Sequence, residues 1–137
     1  MRSRLFKEVI FDASHRLLHY EGKCARLHGH RWRVEVCIEG EVDEKTGILI
    51  DYNTIRSIIE RFDHQVILNE ADPMARCIGE FQQVCTTRGD PTSELLAEFI
   101  RDLLDTECSL TGRDARVSLV RVWESPTCYA ECSHADH

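Results

Sequence analysis

The amino-acid sequence predicts an α+β fold in which a four-stranded antiparallel sheet carries two helices on one face. Residues 28–38 alternate between apolar and polar side chains, which is the period of a half-buried strand. Two later segments repeat their apolar residues at helical spacing, and strand patterns return near the end of the chain. The order strand, strand, helix, helix, strand, strand is typical of an antiparallel sheet with its helices together on one side.

The first two strands lie in the N-terminal third of the chain. Residues 5–15 form the first strand and place Phe11, Ala13 and His15 on one face. The second strand carries two histidines on its apolar face, so the imidazoles are expected to point into the protein, where a metal site is shielded from water. This face consists of His28, His30, Trp32, Val34, Val36 and Ile38.

Both predicted helices have an apolar stripe. The first runs from Asp51 to Phe62, with its isoleucines at helical spacing. The second opens with residues 90–94, Asp-Pro-Thr-Ser-Glu, which supply capping residues and an early proline. The stripe of the second helix consists of Leu95, Leu96, Phe99, Ile100, Leu103 and Leu104.

The last two strands are predicted over residues 115–124 and 129–132. Between the helices, residues 70–90 leave two alternatives, a short helix or a mobile loop. The apolar residues that a short helix would align are Met74, Ile78 and Phe81.

Length and composition predict one soluble domain over residues 1–137. Hydrophobic residues make up 42% of the chain, which is ordinary for a globular protein with a buried core. The polar N-terminus and the lack of a long apolar run argue against a signal peptide and against membrane association. Seven cysteines without the spacing of a disulfide framework favour the reducing cytoplasm.

Charge is distributed unevenly along the chain. The net charge is −7, yet residues 1–33 hold eight Lys/Arg against three Asp/Glu. The positive charge therefore collects around the histidine segment. An acidic chain with one basic region suits a small anionic ligand better than nucleic acid, which requires a broad basic face.

Three histidines in this region predict a metal site. His28 and His30 stand two residues apart on one strand, and His15 ends the neighbouring strand on the inward face. Three neutral imidazoles are typical ligands of zinc, and a three-ligand zinc keeps an open position for catalysis. The sequence thus predicts Zn²⁺ as cofactor.

Three further features leave alternatives open. Cys24 is a fourth zinc ligand, an inert buried thiol, or a reactive thiolate activated by zinc, Lys23 and Arg26. The adjacent pair Asp63 and His64 forms either a proton relay or the ordinary end of a helix. Glu124 ends an apolar strand, where it is either exposed or binds a ligand rich in N–H donors.

Six segments in the same order resemble the 6-pyruvoyl-tetrahydropterin synthase superfamily. The 6-carboxy-tetrahydropterin synthase branch, which serves queuosine biosynthesis, is the most similar, because three residues separate the cysteine from His-Gly-His. The segments are Phe11-Asp-Ala-Ser-His15, Cys24-Ala-Arg-Leu-His-Gly-His30, Gly47-Ile-Leu-Ile-Asp51, Asp63-His64 with Leu68-Asn69, Pro91-Thr-Ser-Glu94, and Trp123-Glu124.

The resemblance implies roles for nine residues, and a tunnelling fold that assembles as a homo-oligomer, commonly a hexamer built from two trimers. Each active site then draws residues from more than one chain. The implied zinc ligands are His15, His28 and His30; the implied proton-transfer residues are Cys24, Asp63 and His64; the implied pterin-binding residues are Glu124, Thr92 and Ser93.

The implied activity is that of a zinc-dependent lyase. It converts 7,8-dihydroneopterin triphosphate to 6-carboxy-5,6,7,8-tetrahydropterin, acetaldehyde and triphosphate. The alternatives are a pyruvoyl-forming synthase and a non-catalytic zinc- or pterin-binding module in which Cys24 closes the metal site. Two features depart from the family pattern: residues 65–67 separate Asp-His from Leu-Asn, and the segment before Pro91 is longer.

Overall fold

The computed structural model describes residues 1–133, which contain six strands and three α-helices. The strands are β1 (Arg2–His15), β2 (His28–Glu41), β3 (Gln65–Asn69), β4 (Cys85–Thr87), β5 (Ala115–Ser125) and β6 (Cys128–Ser133). The helices are α1 (Tyr52–Ile59), α2 (Pro73–Gly79) and α3 (Ser93–Leu110), with single 3₁₀ turns at Lys23–Ala25 and Glu60–Phe62.

The α+β class is confirmed, but the prediction of four strands is wrong. The sheet has six strands in the order β4-β3-β1-β2-β5-β6. Antiparallel pairing joins β1, β2, β5 and β6, which are the four strands that the sequence predicts. Parallel pairing then adds β3 to β1 and β4 to β3. These two strands have five and three residues, too few for a periodic pattern to identify them.

The prediction of two helices is also wrong, because the uncertain segment contains a third. Asp72 caps the N-terminus of α2 by accepting a hydrogen bond from the backbone N–H of Met74, and proline occupies the first turn. The short-helix alternative for residues 70–90 is therefore correct, and the mobile-loop alternative is wrong. The first predicted helix ends earlier than expected, at Ile59, and a 3₁₀ turn continues to Phe62.

The core lies between one face of the sheet and the helices. Trp32, Val34, Val36 and Ile38 of β2 are completely buried, as the alternation predicts. Phe11 of β1 stacks on Trp32 with ring centroids 6.1 Å apart. Burial of this apolar face fixes which side chains of β1 and β2 point inward, because a slip of one residue would turn the whole set outward.

Within residues 1–133, β4 and β6 are the outermost strands of the sheet, and β1 has a neighbour on both sides over only part of its length. β3 pairs with β1 only at residues 13–15, so most of β1 has a neighbour on one side alone. β6 pairs only with β5. Free edges of this length are where a sheet can continue into another chain. Among the same residues, no helix is both long and apolar enough to cross a membrane.

Candidate active site

The end of β1 and the start of β2 bring three imidazoles together. The register pairs His15 with His28 and Ala13 with His30, so the three rings share the inward face of two adjacent strands. The ring centroids are separated by 4.7 Å (His15 to His28), 5.2 Å (His15 to His30) and 4.8 Å (His28 to His30). Glu124, on β5, joins them, and one potential ligand atom from each of the four residues lies within 4.8 Å of the others.

Backbone carbonyls orient two of these rings. His15 Nδ1 lies 2.8 Å from the carbonyl oxygen of Pro91, and His28 Nδ1 lies 2.6 Å from that of Arg26. A carbonyl oxygen only accepts, so each Nδ1 carries the proton and donates it. The Nε2 atom of each neutral ring then keeps its lone pair. This is the arrangement in which a second group fixes the tautomer of a metal-binding histidine.

The Glu124 carboxylate and the Nε2 atoms of two histidines face the space between the rings. Glu124 Oε1 lies 3.3 Å from His15 Nε2 and 3.2 Å from His30 Nε2. Both nitrogens are buried and have no hydrogen-bond partner among the described residues. Burial lowers the pKa of His15 and of His30, which favours the neutral rings. A buried lone pair facing a carboxylate is costly unless a cation lies between them, so the group fits a divalent metal.

Cys24 lies outside this group of potential ligands. It belongs to the 3₁₀ turn Lys23–Ala25, between β1 and β2, and is half-buried. Its carbonyl oxygen accepts a hydrogen bond from the backbone N–H of Leu17 at 2.8 Å, which closes the loop on itself. Residues 16–27 are called the thiol loop below.

The Asp63–His64 pair is formed, but on the other face of the sheet. His64 Nδ1 lies 3.0 Å from Asp63 Oδ2, and Asp63 Oδ1 accepts from the backbone N–H of Asp12 at 3.0 Å. These hydrogen bonds lower the pKa of Asp63, the one from Asp12 most strongly. His64 has a φ of 60°, a left-handed conformation outside any helix, and its imidazole is 80% exposed.

The register indicates which face the Asp63–His64 pair occupies: β3 pairs Gln65 with Ala13, so His64 stands beside Asp12, which alternates with the inward-facing residues of β1. The hollow beside His64 is lined by Asp12, Ala13, Ser14, Gly29, His30, Arg31, His64, Gln65 and Val66. Ser14 alternates with His15 along β1, so its side chain points away from the core. Within one chain, the structure therefore brings together His15, His28, His30 and Glu124, but places Asp63 and His64 on the opposite side of the sheet.

Thr92 and Ser93 lie where α3 begins. The Thr92 hydroxyl accepts a hydrogen bond from the backbone N–H of Leu95 at 3.1 Å, as an N-cap does. The Ser93 hydroxyl donates to a carboxylate oxygen of Glu94 at 2.8 Å. In this segment it is the carbonyl of Pro91 that contacts the histidine group. Sequence reasoning missed that contact, since a backbone oxygen leaves no signal in the choice of side chain.

The fold and the site define an α+β protein with a three-histidine and one-carboxylate centre able to hold a divalent metal ion. A sequence model of the family described as 6-pyruvoyl tetrahydropterin synthase matches residues 4–135. The chain belongs to this family and is an enzyme of it.

Individual proteins agree with this membership. A protein of Pyrococcus abyssi is 36% identical over 96% of this chain and 90% of its own length. The 6-carboxy-5,6,7,8-tetrahydropterin synthase of Rickettsia felis is 30% identical over 91% of this chain and 96% of its own. The structure of the Plasmodium vivax 6-pyruvoyltetrahydropterin synthase, in a variant form, has a TM-score of 0.70 at 21% identity. It covers 96% of this chain and 97% of the Plasmodium chain, and at that identity it supports the fold alone.

Proposed function

We propose that this enzyme converts 7,8-dihydroneopterin triphosphate and one water molecule to 6-carboxy-5,6,7,8-tetrahydropterin, acetaldehyde and triphosphate, as a zinc-dependent lyase of queuosine biosynthesis in the cytoplasm. The observation that carries the proposal is the convergence of His15, His28 and His30, in which the Nε2 atoms of His15 and His30 are buried without a hydrogen-bond partner among the described residues. The name of the Rickettsia relative, which matches nearly the whole chain, indicates the carboxy-forming reaction.

The three histidines would hold Zn²⁺ through Nε2, since the Nδ1 atoms of His15 and His28 already donate to backbone carbonyls. When bound, zinc supplies Lewis acidity that makes the hydroxyl groups of the substrate side chain easier to deprotonate. The proposed ligand set fits the metal chemically, because neutral imidazole is a common zinc ligand.

Glu124 is the proposed pterin ligand. Its side chain is 30% exposed, so the carboxylate borders both the histidine group and the open side of the site. A carboxylate accepts hydrogen bonds only, and the amino and ring N–H groups of a pterin are donors that match it. Thr92 and Ser93 would border the same pocket, next to Pro91. By binding the pterin ring, Glu124 would set the distance between the substrate side chain and the metal ligands.

Cys24 and His64 would move protons on the substrate side chain, with Asp63 orienting His64 through their 3.0 Å contact. Because Asp63 and His64 lie on the opposite face of the sheet, their partner site would belong to another copy of the chain. The side of β1 that has no strand neighbour among the described residues provides a means for copies to join. We therefore propose a homo-oligomer, a hexamer built from two trimers.

The triphosphate would meet cations beside Cys24. Several arginines of the basic N-terminal third are paired with carboxylates: Arg2 with Glu41 and Asp114, Arg16 with Asp72, Arg31 with Asp12 and Arg33 with Glu8. Lys23 and Arg26 flank Cys24, are exposed, and form no ion pair among the described residues. They remain available for an anionic group of the substrate.

A product assay tests the proposal. The zinc-loaded protein is incubated with 7,8-dihydroneopterin triphosphate, and pterins and acetaldehyde are followed by mass spectrometry. Carboxy-tetrahydropterin together with acetaldehyde is the expected result. A pyruvoyl product without acetaldehyde would assign the protein to the pyruvoyl-forming branch. Unchanged substrate would reject both syntheses and favour a binding module.

A further inference from the structure

The thiol loop is fixed to the rest of the protein by the side chains of Asp72 and Asp90, which the proposed chemistry does not use. Within the loop, the backbone N–H of Leu17 donates to the carbonyl oxygen of Cys24. The two anchors come from the connection between β3 and α2 and from the residue that precedes Pro91. These segments lie within the stretch that is longer than in the family pattern.

The first anchor joins Arg16 and Asp72. Arg16 donates through Nε to Asp72 Oδ2 at 2.6 Å and through Nη2 to Asp72 Oδ1 at 2.5 Å. The Asp72 side chain has no exposed surface, and its Oδ1 also accepts the N-terminal N–H of α2, from Met74. The guanidinium lowers the pKa of Asp72, so the pair stays ionised at neutral pH. Two parallel hydrogen bonds fix the plane of the guanidinium as well as its position.

The same guanidinium also contacts the turn that carries Cys24. Arg16 Nη1 lies 3.5 Å from the carbonyl oxygen of Ala25, the residue after Cys24. Arg16 also follows His15 directly in the chain. The guanidinium thus connects the buried Asp72 carboxylate to the turn that carries the thiol, and the backbone of Arg16 connects both to His15, a proposed metal ligand.

The second anchor is Asp90. It accepts the backbone N–H of Leu18 at 2.9 Å and that of His19 at 2.8 Å, one on each carboxylate oxygen. Asn69, which is 4% exposed, donates to the same carboxylate at 3.1 Å. The next residue, Pro91, holds His15 through its carbonyl. Two consecutive residues therefore set the position of the thiol loop and of a metal ligand relative to each other.

We propose that Arg16, Asp72 and Asp90 are positioning residues that set where the Cys24 thiol lies relative to the histidine group. This inference rests on the proposed role of Cys24 as the proton-transfer thiol. A buried Arg–Asp pair is weak as a source of stability, because desolvation offsets most of the attraction. It is effective at fixing geometry, and an error of about 1 Å at a reacting group can cost about 10²-fold in rate.

The test compares Asp72→Asn and Arg16→Lys with the wild type. Asparagine keeps one acceptor for the cap of α2 but removes the charge, and lysine cannot contact Asp72 and Ala25 in the same way as the planar fork. We expect kcat to fall about 10- to 100-fold with KM changed less than about 3-fold. The zinc content should stay at the wild-type level. The alkylation rate of Cys24 by iodoacetamide, followed by peptide mass spectrometry, should change at least about 3-fold, since the thiol moves relative to its surroundings.

Glu39→Gln is the matched control. Glu39 accepts two hydrogen bonds from Arg116, at 3.0 and 2.5 Å, in a carboxylate–guanidinium pair far along β2 from the thiol loop. This variant should leave kcat and Cys24 alkylation unchanged. If Asp72→Asn does not fold, as judged by circular dichroism, Arg16→Lys and Asp90→Asn carry the test.

Two results would overturn the inference. One is a folded Asp72→Asn or Arg16→Lys protein with the wild-type kcat and the wild-type Cys24 alkylation rate. The other is an equal loss of activity in Glu39→Gln. If the wild type itself does not turn over the pterin, the proposed function fails, and the alkylation rate of Cys24 alone then decides whether these residues position the thiol.

Discussion

The histidine group and the proton-transfer residues are held by different parts of the fold. His15, His28 and His30 lie on two long strands whose register is fixed by a completely buried apolar face. Cys24 and His64 lie on connections, and hydrogen bonds between side chains and backbone groups hold those connections in place. The ligand group is thus specified by regular structure, whereas the thiol and the exposed imidazole depend on single contacts.

This difference predicts how the two regions respond to substitution. A change in the strand-borne group removes a ligand from a preformed site, so it should act on metal binding. A change in a connection should act on turnover and leave the metal in place. Five predictions test that separation, in order of decreasing expected effect.

His28→Ala removes one imidazole of the histidine group. We expect loss of bound zinc and of detectable turnover, because a three-histidine centre that loses a ligand also loses the orientation of the remaining two. Zinc content by atomic absorption and the product assay measure the two effects. His19→Ala, in the thiol loop, should retain the metal, since within residues 1–133 His19 is held through its backbone N–H, which alanine keeps. Stoichiometric zinc in His28→Ala would contradict the ligand assignment.

Cys24→Ala removes the thiol from its connection. If Cys24 transfers protons, kcat should fall by about 10² to 10⁴-fold, the range typical of a general acid or base. Zinc content should not change, because the ligand atoms that converge belong to other residues. The exposed Cys77 provides the control, and Cys77→Ala should keep full activity. Loss of zinc from Cys24→Ala would instead favour a thiolate ligand that closes the metal site.

The parts of the site that are predictable from the sequence share one property: they follow from the spacing of residues within a single strand or helix. Alternate residues of a strand share a face, so His28 and His30 can be paired without any knowledge of the fold. The helix caps at Asp72 and Thr92 follow equally local rules, although only the second stands in a segment that the sequence marks as a helix. The class of the fold follows from these patterns in their order.

The features of the fold and of the site that the sequence does not predict depend on contacts between segments that are distant in the chain. The approach of Glu124 to His15 is set by pairing between β2 and β5, and that register shifts at Cys37/Ile38. No sequence pattern reports such a bulge. Likewise, β3 and β4 are strands because a parallel partner is available, and the position of His64 on the outer face follows from that pairing.

Glu124→Gln tests the one site residue that borders both regions. As a pterin ligand, the carboxylate would accept charged hydrogen bonds worth about 1.5–3 kcal/mol, so KM should rise about 10- to 100-fold with zinc retained. The control is Glu131→Gln on the neighbouring strand, where the carboxylate binds Arg121. If zinc affinity falls and KM does not rise, Glu124 is a metal ligand and another group must bind the pterin.

Acidification of the metal-free protein should separate the two regions by pH. An unfolded chain protonates histidine near pH 6.5, whereas burial lowers the pKa of His15 and of His30 in the folded chain. As the pH falls below about 6.5, the unfolded state therefore binds more protons, and the free energy of unfolding should decrease. The effect should end once the pH passes below the lowered values of the folded state. Urea denaturation at a series of pH values measures it, and His30→Gln should reduce it.

The Arg16–Asp72 pair, which anchors the thiol loop, should change the free energy of unfolding in a lower pH range. Arg16 lowers the pKa of Asp72, so the stability from this carboxylate is present above its unfolded value of about 3.9 and is lost as the pH falls through the folded value. Asp72→Asn should remove that acid step and leave the step near pH 6.5 intact. Bound zinc should shift only the upper step to lower pH, because protons must then displace the metal from the histidines. A different result would contradict the proposed separation. If zinc, His30→Gln and Asp72→Asn all shifted the same pH step, the histidine group and the thiol loop would unfold as one cooperative unit.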